Sequence, residues 1–366
     1  MRTRRQFLVD GSKALLGVGV ASLAQAEASW AQQGPGGSAA TSRRGAARNT
    51  PDTFPTLNFI TSDPAYSDYR PAIDSAGRRI VFERTPKGSG LTSMYITTFA
   101  EAAAQPFVQP SELFTGPSQT RPDWSWQTGQ VAMNVAEGDN KAVSILITDA
   151  NGNPLANVPD SKGYVYPTWS PLGTQLIVFN GSAKAKPNPC TSLINLDGTV
   201  FEANLDGNDA NDVPMYGGFA TPTPGNAKLI AYAGQPDQVW GAAITGYSQD
   251  YNYVFLNSDN GGAYTSAPLE SDASIATFDP THQGRAPVWS PDGKYVAFES
   301  DRAGGYAIFL AKIGENSAPV QLTNSHYGAQ HAKFFPDGSK IILTCLQKPG
   351  KAGPRGIAWI DISQYL

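Results

Sequence analysis

The sequence predicts an all-β fold: a six-bladed β-propeller of four-stranded antiparallel blades, its ring closed by an N-terminal strand that completes the last blade. Three observations predict it. A short motif recurs six times, at intervals that leave room for about four strands each. Each copy couples an apolar strand to a tight turn and a second strand of alternating pattern. The 37 glycines and 28 prolines, with only 16% charged residues, suit many short strands joined by turns.

Taken in order, the chain of 366 residues opens with a segment that does not read as globular. Thr3-Arg4-Arg5-Gln6-Phe7-Leu8 is followed by an apolar run from Ala14 to Ala24, of signal-sequence length and too short to span a membrane as a mature helix. Ala24-Gln25-Ala26 fits a small-x-small cleavage site, and Ser29-Trp30-Ala31 is a weaker alternative. The paired arginines before Phe-Leu predict a twin-arginine export signal over residues 1–26 and a periplasmic or secreted protein. Residues 27–54 are small, polar and without periodicity, and read as a flexible linker. Without residues 1–26 the chain carries 23 basic and 30 acidic residues, a net charge of −7. That balance argues against a nucleic-acid partner, and no run of about 20 apolar residues predicts a membrane span.

The propeller is expected over residues 55–366. The fifth repeat is the clearest: Arg285-Ala286-Pro287-Val288-Trp289-Ser290-Pro291-Asp292-Gly293-Lys294-Tyr295-Val296-Ala297-Phe298. Pro291 presets φ for the turn, and Asp292-Gly293 supply local hydrogen bonding and a positive-φ residue. With Pro287 as marker, the copies sit at 71, 122, 167, 221, 287 and 332, so the spacings are 51, 45, 54, 66 and 45. The fourth copy, Thr221-Pro222-Thr223-Pro224-Gly225-Asn226, is degenerate. Strands in the fifth repeat are expected at Ala286–Ser290, Lys294–Ser300, Tyr306–Ile313 and Pro319–Thr323. The sixth repeat ends at Ile357–Ile362 after three strands, so the strand near Leu57–Thr61 should supply its fourth and cover the sheet edges. Cys190 and Cys345 fall in the third and sixth repeats, too far apart to bridge, and read as two separate thiols.

The repeated Pro-x-Trp-Ser-Pro-Asp-Gly, nearly ideal in the fifth copy and close in the third, resembles the TolB-type propeller repeat over residues 57–366. TolB itself has an α/β domain before its propeller, whereas here a linker precedes the first blade. The resemblance implies architecture rather than activity, since the same repeat type also serves peptidases and carbohydrate lyases. Such peptidases carry their catalytic triad in a separate hydrolase domain.

Strand alternation puts the Pro-Asp-Gly turns on one face. The other face, the channel mouth, gathers the inter-blade connections and the loops 84–92, 136–141, 180–190, 234–250 and 300–305. Candidate ligand-binding residues are Arg70, Arg121 and Arg285 near the strand starts, and Trp240 and Tyr247 in the insertion 234–250. The arginines could gather an anion or pair with acidic residues of neighbouring blades. The three histidines, His282, His326 and His331, also fall on the mouth side. They could bind a divalent metal, in loose likeness to the channel metal site of oligogalacturonate lyases, or be ordinary loop histidines. No dense ligand motif such as His-x-His accompanies them, so no cofactor is expected. Trp124, Trp169, Trp289 and Phe334 share one repeat position and read as inter-blade core. Asp206 to Asp212 offers alternate oxygens but lacks the glycine and glutamate of a calcium loop, and reads as a plain turn. No Gly-x-Ser-x-Gly elbow, Walker loop or dinucleotide fingerprint is present. The expectation is therefore a non-catalytic propeller that binds a protein or envelope ligand through its mouth loops. A metal-assisted, lyase-like carbohydrate-active enzyme is the alternative.

Overall fold

The computed structural model describes residues 53–99, 110–114, 118–137, 142–180, 190–210, 212–236, 253–270, 283–315, 318–350 and 352–366. After β1 (Asn58–Phe59), the first blade comprises β2 (Tyr66–Ile73), β3 (Arg79–Pro86), β4 (Ser93–Thr98) and β5 (Ser111–Phe114). The second is β6 (Gln119–Trp124), β7 (Val131–Glu137), β8 (Ala142–Thr148) and β9 (Pro154–Asn157). The third is β10 (Tyr164–Trp169), β11 (Gln175–Asn180), β12 (Cys190–Asn195) and β13 (Val200–Glu202). The fourth is β14 (Met215–Thr223), β15 (Asn226–Pro236), β16 (Tyr253–Asp259) and β17 (Tyr264–Pro268). The fifth is β18 (Gly284–Trp289), β19 (Tyr295–Ser300), β20 (Ala307–Lys312) and β21 (Val320–Gln321). The sixth is β22 (Gln330–Phe334), β23 (Lys340–Leu346) and β24 (Arg355–Asp361), with β1 as its fourth strand.

Each blade is a four-stranded antiparallel meander, and the chain is a six-bladed β-propeller. Among the described residues the helical segments are short 3₁₀ turns, and no helix is long and apolar enough to cross a membrane. The ring closes as the truncated last repeat predicts: Asn58 pairs with Trp359 and Phe59 with Ala358. The Ile60 and Thr61 amides then both donate to the Ile357 carbonyl, at 2.8 and 3.1 Å. In the fifth blade all four strands lie within two residues of their expected bounds.

The turn between β18 and β19 shows why the motif folds as it does. The Gly293 amide donates to the Ser290 carbonyl at 2.9 Å with Gly293 at φ 72°, where a Cβ would be strained. One Asp292 oxygen accepts from the Ser290 hydroxyl at 2.6 Å and the Lys294 amide at 3.1 Å. The strand that follows is then buried along its whole length, because both its faces meet other blades.

The core lies between the blades. Six apolar clusters occupy the six blade interfaces, for example Val81 and Met94 with Trp124 and Met133 between the first and second blades. Trp169 packs with Ile145 and Ile147 between the second and third, and Phe334 with Leu310 between the fifth and sixth. Each fully buried large side chain contributes about 1.5–3 kcal/mol, so the interfaces, rather than any single sheet, hold the ring. Cys345 is a buried free thiol on β23, and burial pushes its pKa up to about 12. Cys190 stands at the start of β12, three blades away.

Candidate functional site

The innermost strand of every blade carries a β-bulge at one shared position, and β14 carries a second irregularity between Pro222 and Thr223. The bulged residues are Arg70, Arg121, Tyr166, Phe219, Ala286 and His331, all at positive φ between 45° and 58°. A non-glycine residue held there costs on the order of 1–3 kcal/mol and needs surrounding structure to keep it. Four of the six precede a proline, which has no N–H to offer a strand ladder and is therefore tolerated at a bulge. The fourth marker is thus Ala220, not Thr221 as the motif scan has it. That repeat lacks its tryptophan and carries prolines at both 222 and 224, so only counting back from the turn residue Pro224 recovers the register.

Side chains from the second strand of the preceding blade hold four of these bulges. The Arg70 amide donates to the Thr344 hydroxyl at 3.0 Å, and the Arg121 amide to a Glu83 oxygen. The Tyr166 amide donates to Asn134 Oδ1 at 3.1 Å, and the His331 amide to Glu299 Oε2 at 2.8 Å. In the fourth blade the neighbouring Gly217 amide is accepted instead by Asp206 Oδ2 at 3.1 Å. Asp206 is fully buried, and burial holds its carboxyl well above the usual range.

All six bulge residues line one axial cavity of ≈ 80 Å³. Pro71, Pro122, Pro167 and Pro287 complete its apolar wall, and Asp123 and Lys333 also face it. The Arg121 guanidinium lies 4.3 Å from the Tyr166 ring centroid, and Tyr166 packs on Phe219 with centroids 4.1 Å apart. Arg70 contacts both oxygens of Glu83, at 2.9 and 3.1 Å, within its own blade. Lys333 Nζ donates to Asp123 Oδ1 at 2.8 Å, and the Trp169 amide to Asp123 Oδ2 at 2.8 Å. His331 packs edge-on against Tyr69, and the Tyr69 hydroxyl donates to Gln330 Oε1 at 2.6 Å. Burial, then the charges of Arg70, Arg285, Arg355 and Arg121, hold the His331 imidazole well below its usual pKa. Its Nδ1 stands 4.0 Å from Glu299, whose carboxylate is already engaged by Arg285 and does not reverse the shift, so the ring is neutral at pH 7.

The structure brings Arg70, Arg121 and His331 together at the axis, and Arg285 and His326 stand apart from them. Arg285 stands one residue before its blade's bulge, where Tyr69 and Gln330 stand in theirs. It is largely buried, donates to Glu299 within its own blade and stacks on Tyr306 at 4.5 Å. Burial lowers its pKa and the Glu299 carboxylate more than reverses that effect. Arg70 and Arg285 thus each pair with a glutamate of their own blade. His326 is exposed on the 3₁₀ turn Ser325–Tyr327. His282, Trp240 and Tyr247 lie outside the described residues, as does most of the loop 234–250. Among the described residues no three His, Cys, Asp or Glu side chains gather as a metal site. In the acidic loop, Asp209 accepts from the Val213 amide at 2.9 Å and the Asn208 side-chain amide donates to Asp212 at 2.7 Å. It is a self-bonded turn.

Sequence reading passes over Glu83, Asn134, Glu299 and Thr344, which share one position in the second strand of their blades. The signal is a polar residue that directly follows three apolar ones, as in Ile80-Val81-Phe82-Glu83 and Val296-Ala297-Phe298-Glu299. It also passes over Asp123 and Lys333, two residues beyond the bulges.

No family model matches the chain. Over 58 residues, 16% of the chain, it is 40% identical to an uncharacterized peptidase, YuxL, of Bacillus subtilis (strain 168), and that stretch spans 9% of the relative's length. TolB from Acinetobacter baumannii is similar in structure, with a TM-score of 0.52 and 15% identity over 78% of this chain and 64% of that one. The tricorn protease gives a TM-score of 0.50 and 13% identity, over 77% of this chain and 24% of that one. The chain thus spans less than two thirds of each of these proteins, and at such identities the two structures share its fold alone.

Proposed function

We propose that this chain is an exported TolB-type propeller that binds a protein or another envelope ligand through its channel-mouth face and axial channel, without catalysis. The observation that carries the reading is the set of cationic and aromatic side chains that the bulges present, in fixed orientation, to one cavity. A rigid frame that pre-orders its side chains lowers the ordering cost of binding. Arg70, Arg121 and His331 are the binding residues of the channel. Trp240, Tyr247, His282 and His326 belong to the mouth, and Arg285 supports the wall behind His331. Residues 1–26 serve as the twin-arginine signal and 27–54 as the linker.

The metal-assisted alternative gains no support from the channel. A divalent cation at His331 would meet the same arginines that keep the imidazole neutral. The mature chain, tagged and used as bait in an envelope extract of its own organism, should retain a partner in near-stoichiometric amount. Retention of none, together with turnover of an oligosaccharide in the presence of manganese, would sink the reading.

A further inference from the structure

We propose that the axial channel is a receptor for a carboxylate on a narrow stem, presented by an acidic side chain or the C-terminus of a partner's extended segment. The proposal rests on the binding reading above and names its chemistry. Arg70, Arg121 and Lys333 line the cavity, and among its lining residues the sole carboxylate is Asp123. Both Asp123 oxygens are engaged, one by Lys333 and one by the Trp169 amide. The cationic lining runs against the composition, because the chain as a whole carries a formal charge of −4. Glu83, behind the wall, pairs with Arg70, so the three cations exceed these two carboxylates by one charge, and in a cleft with apolar walls that excess is focused, attracting anions along the axis.

The geometry favours a carboxylate over other anions. A guanidinium is a planar fork that matches two carboxylate oxygens, and here the Arg121 fork is held over the Tyr166 ring. Prolines, Ala286 and the Tyr166–Phe219 pair supply an apolar sleeve suited to methylenes. The cavity admits a carboxylate and a short stem end-on, and is too small for a folded element. A stem attached to an extended main chain would continue outward to the mouth loops.

Isothermal titration of the mature protein with succinate, inorganic phosphate and two short peptides, one ending in free glutamate and one in amidated alanine, tests this. Succinate and the acidic peptide should bind, more weakly as salt rises, and more tightly than phosphate or the amidated control. Arg121→Gln should weaken both by about tenfold or more, the fold-change of a lost charge-assisted hydrogen bond. Arg121→Lys should recover part of the loss. If Arg121→Gln melts early, Lys333→Gln is read the same way. No binding by any acidic probe to a folded protein, equal binding by wild type and variant, or tighter binding of phosphate than of succinate would overturn the assignment. A natural partner retained equally by wild type and Arg121→Gln would overturn it while leaving the binding reading intact. Carboxylate binding with no partner retained would do the reverse.

Discussion

His331 is nearly buried among arginines, so its charge state is coupled to the stability of the ring. Its folded pKa lies below the unfolded value, and the native state therefore resists the proton that the unfolded chain accepts. The stability this contributes is fully present above the unfolded pKa, near 6.5, and is lost as pH falls toward the folded one. Urea denaturation at pH 7, 6 and 5 should show stability falling with pH, by at most about 1.4 kcal/mol per unit from this group. His331→Gln should flatten that slope; an unchanged slope would assign it elsewhere. At this scale the sequence was half legible. Arg70, Arg121, Tyr166 and His331 could be aligned because each directly precedes a repeat marker. Arg285 misled, because a one-residue offset at a bulge changes which side chain faces the axis. The carboxylates behind the wall were invisible as supports, since their partners are backbone amides of another blade.

At the scale of the element, the last blade depends on a strand from the other end of the domain. The passage of β1 past β24 is tight: a Cβ at Gly356 would fall 2.1 Å from the Thr61 carbonyl oxygen. That atom is backbone and cannot swing aside, so Gly356→Ala should displace β1 and expose the edge of β24. The expected outcome is a lower melting temperature together with faster amide exchange at Ile60 and Thr61, whose amides bond Ile357. Unaltered exchange there would mean that the strand tolerates the displacement. The strands themselves were legible because turn residues bracket them and alternation marks the buried side. The register of the fourth blade was not, because its motif lost the tryptophan that anchors the alignment.

For the whole molecule, closure into a ring fixes two unlike faces. One carries the short turns of the motif, including the exposed Leu172. The other carries loops between second and third strands, including the exposed Leu91. The ring was legible in the repeat spacing, whereas no repeat encodes a ligand for the mouth, since its loops are the parts that depart from the motif. The most direct test is photo-crosslinking in the native envelope with a benzophenone residue placed at Leu91 or at Leu172. The account predicts a discrete partner adduct from position 91 and none from position 172. An adduct from 172 with none from 91 would contradict it.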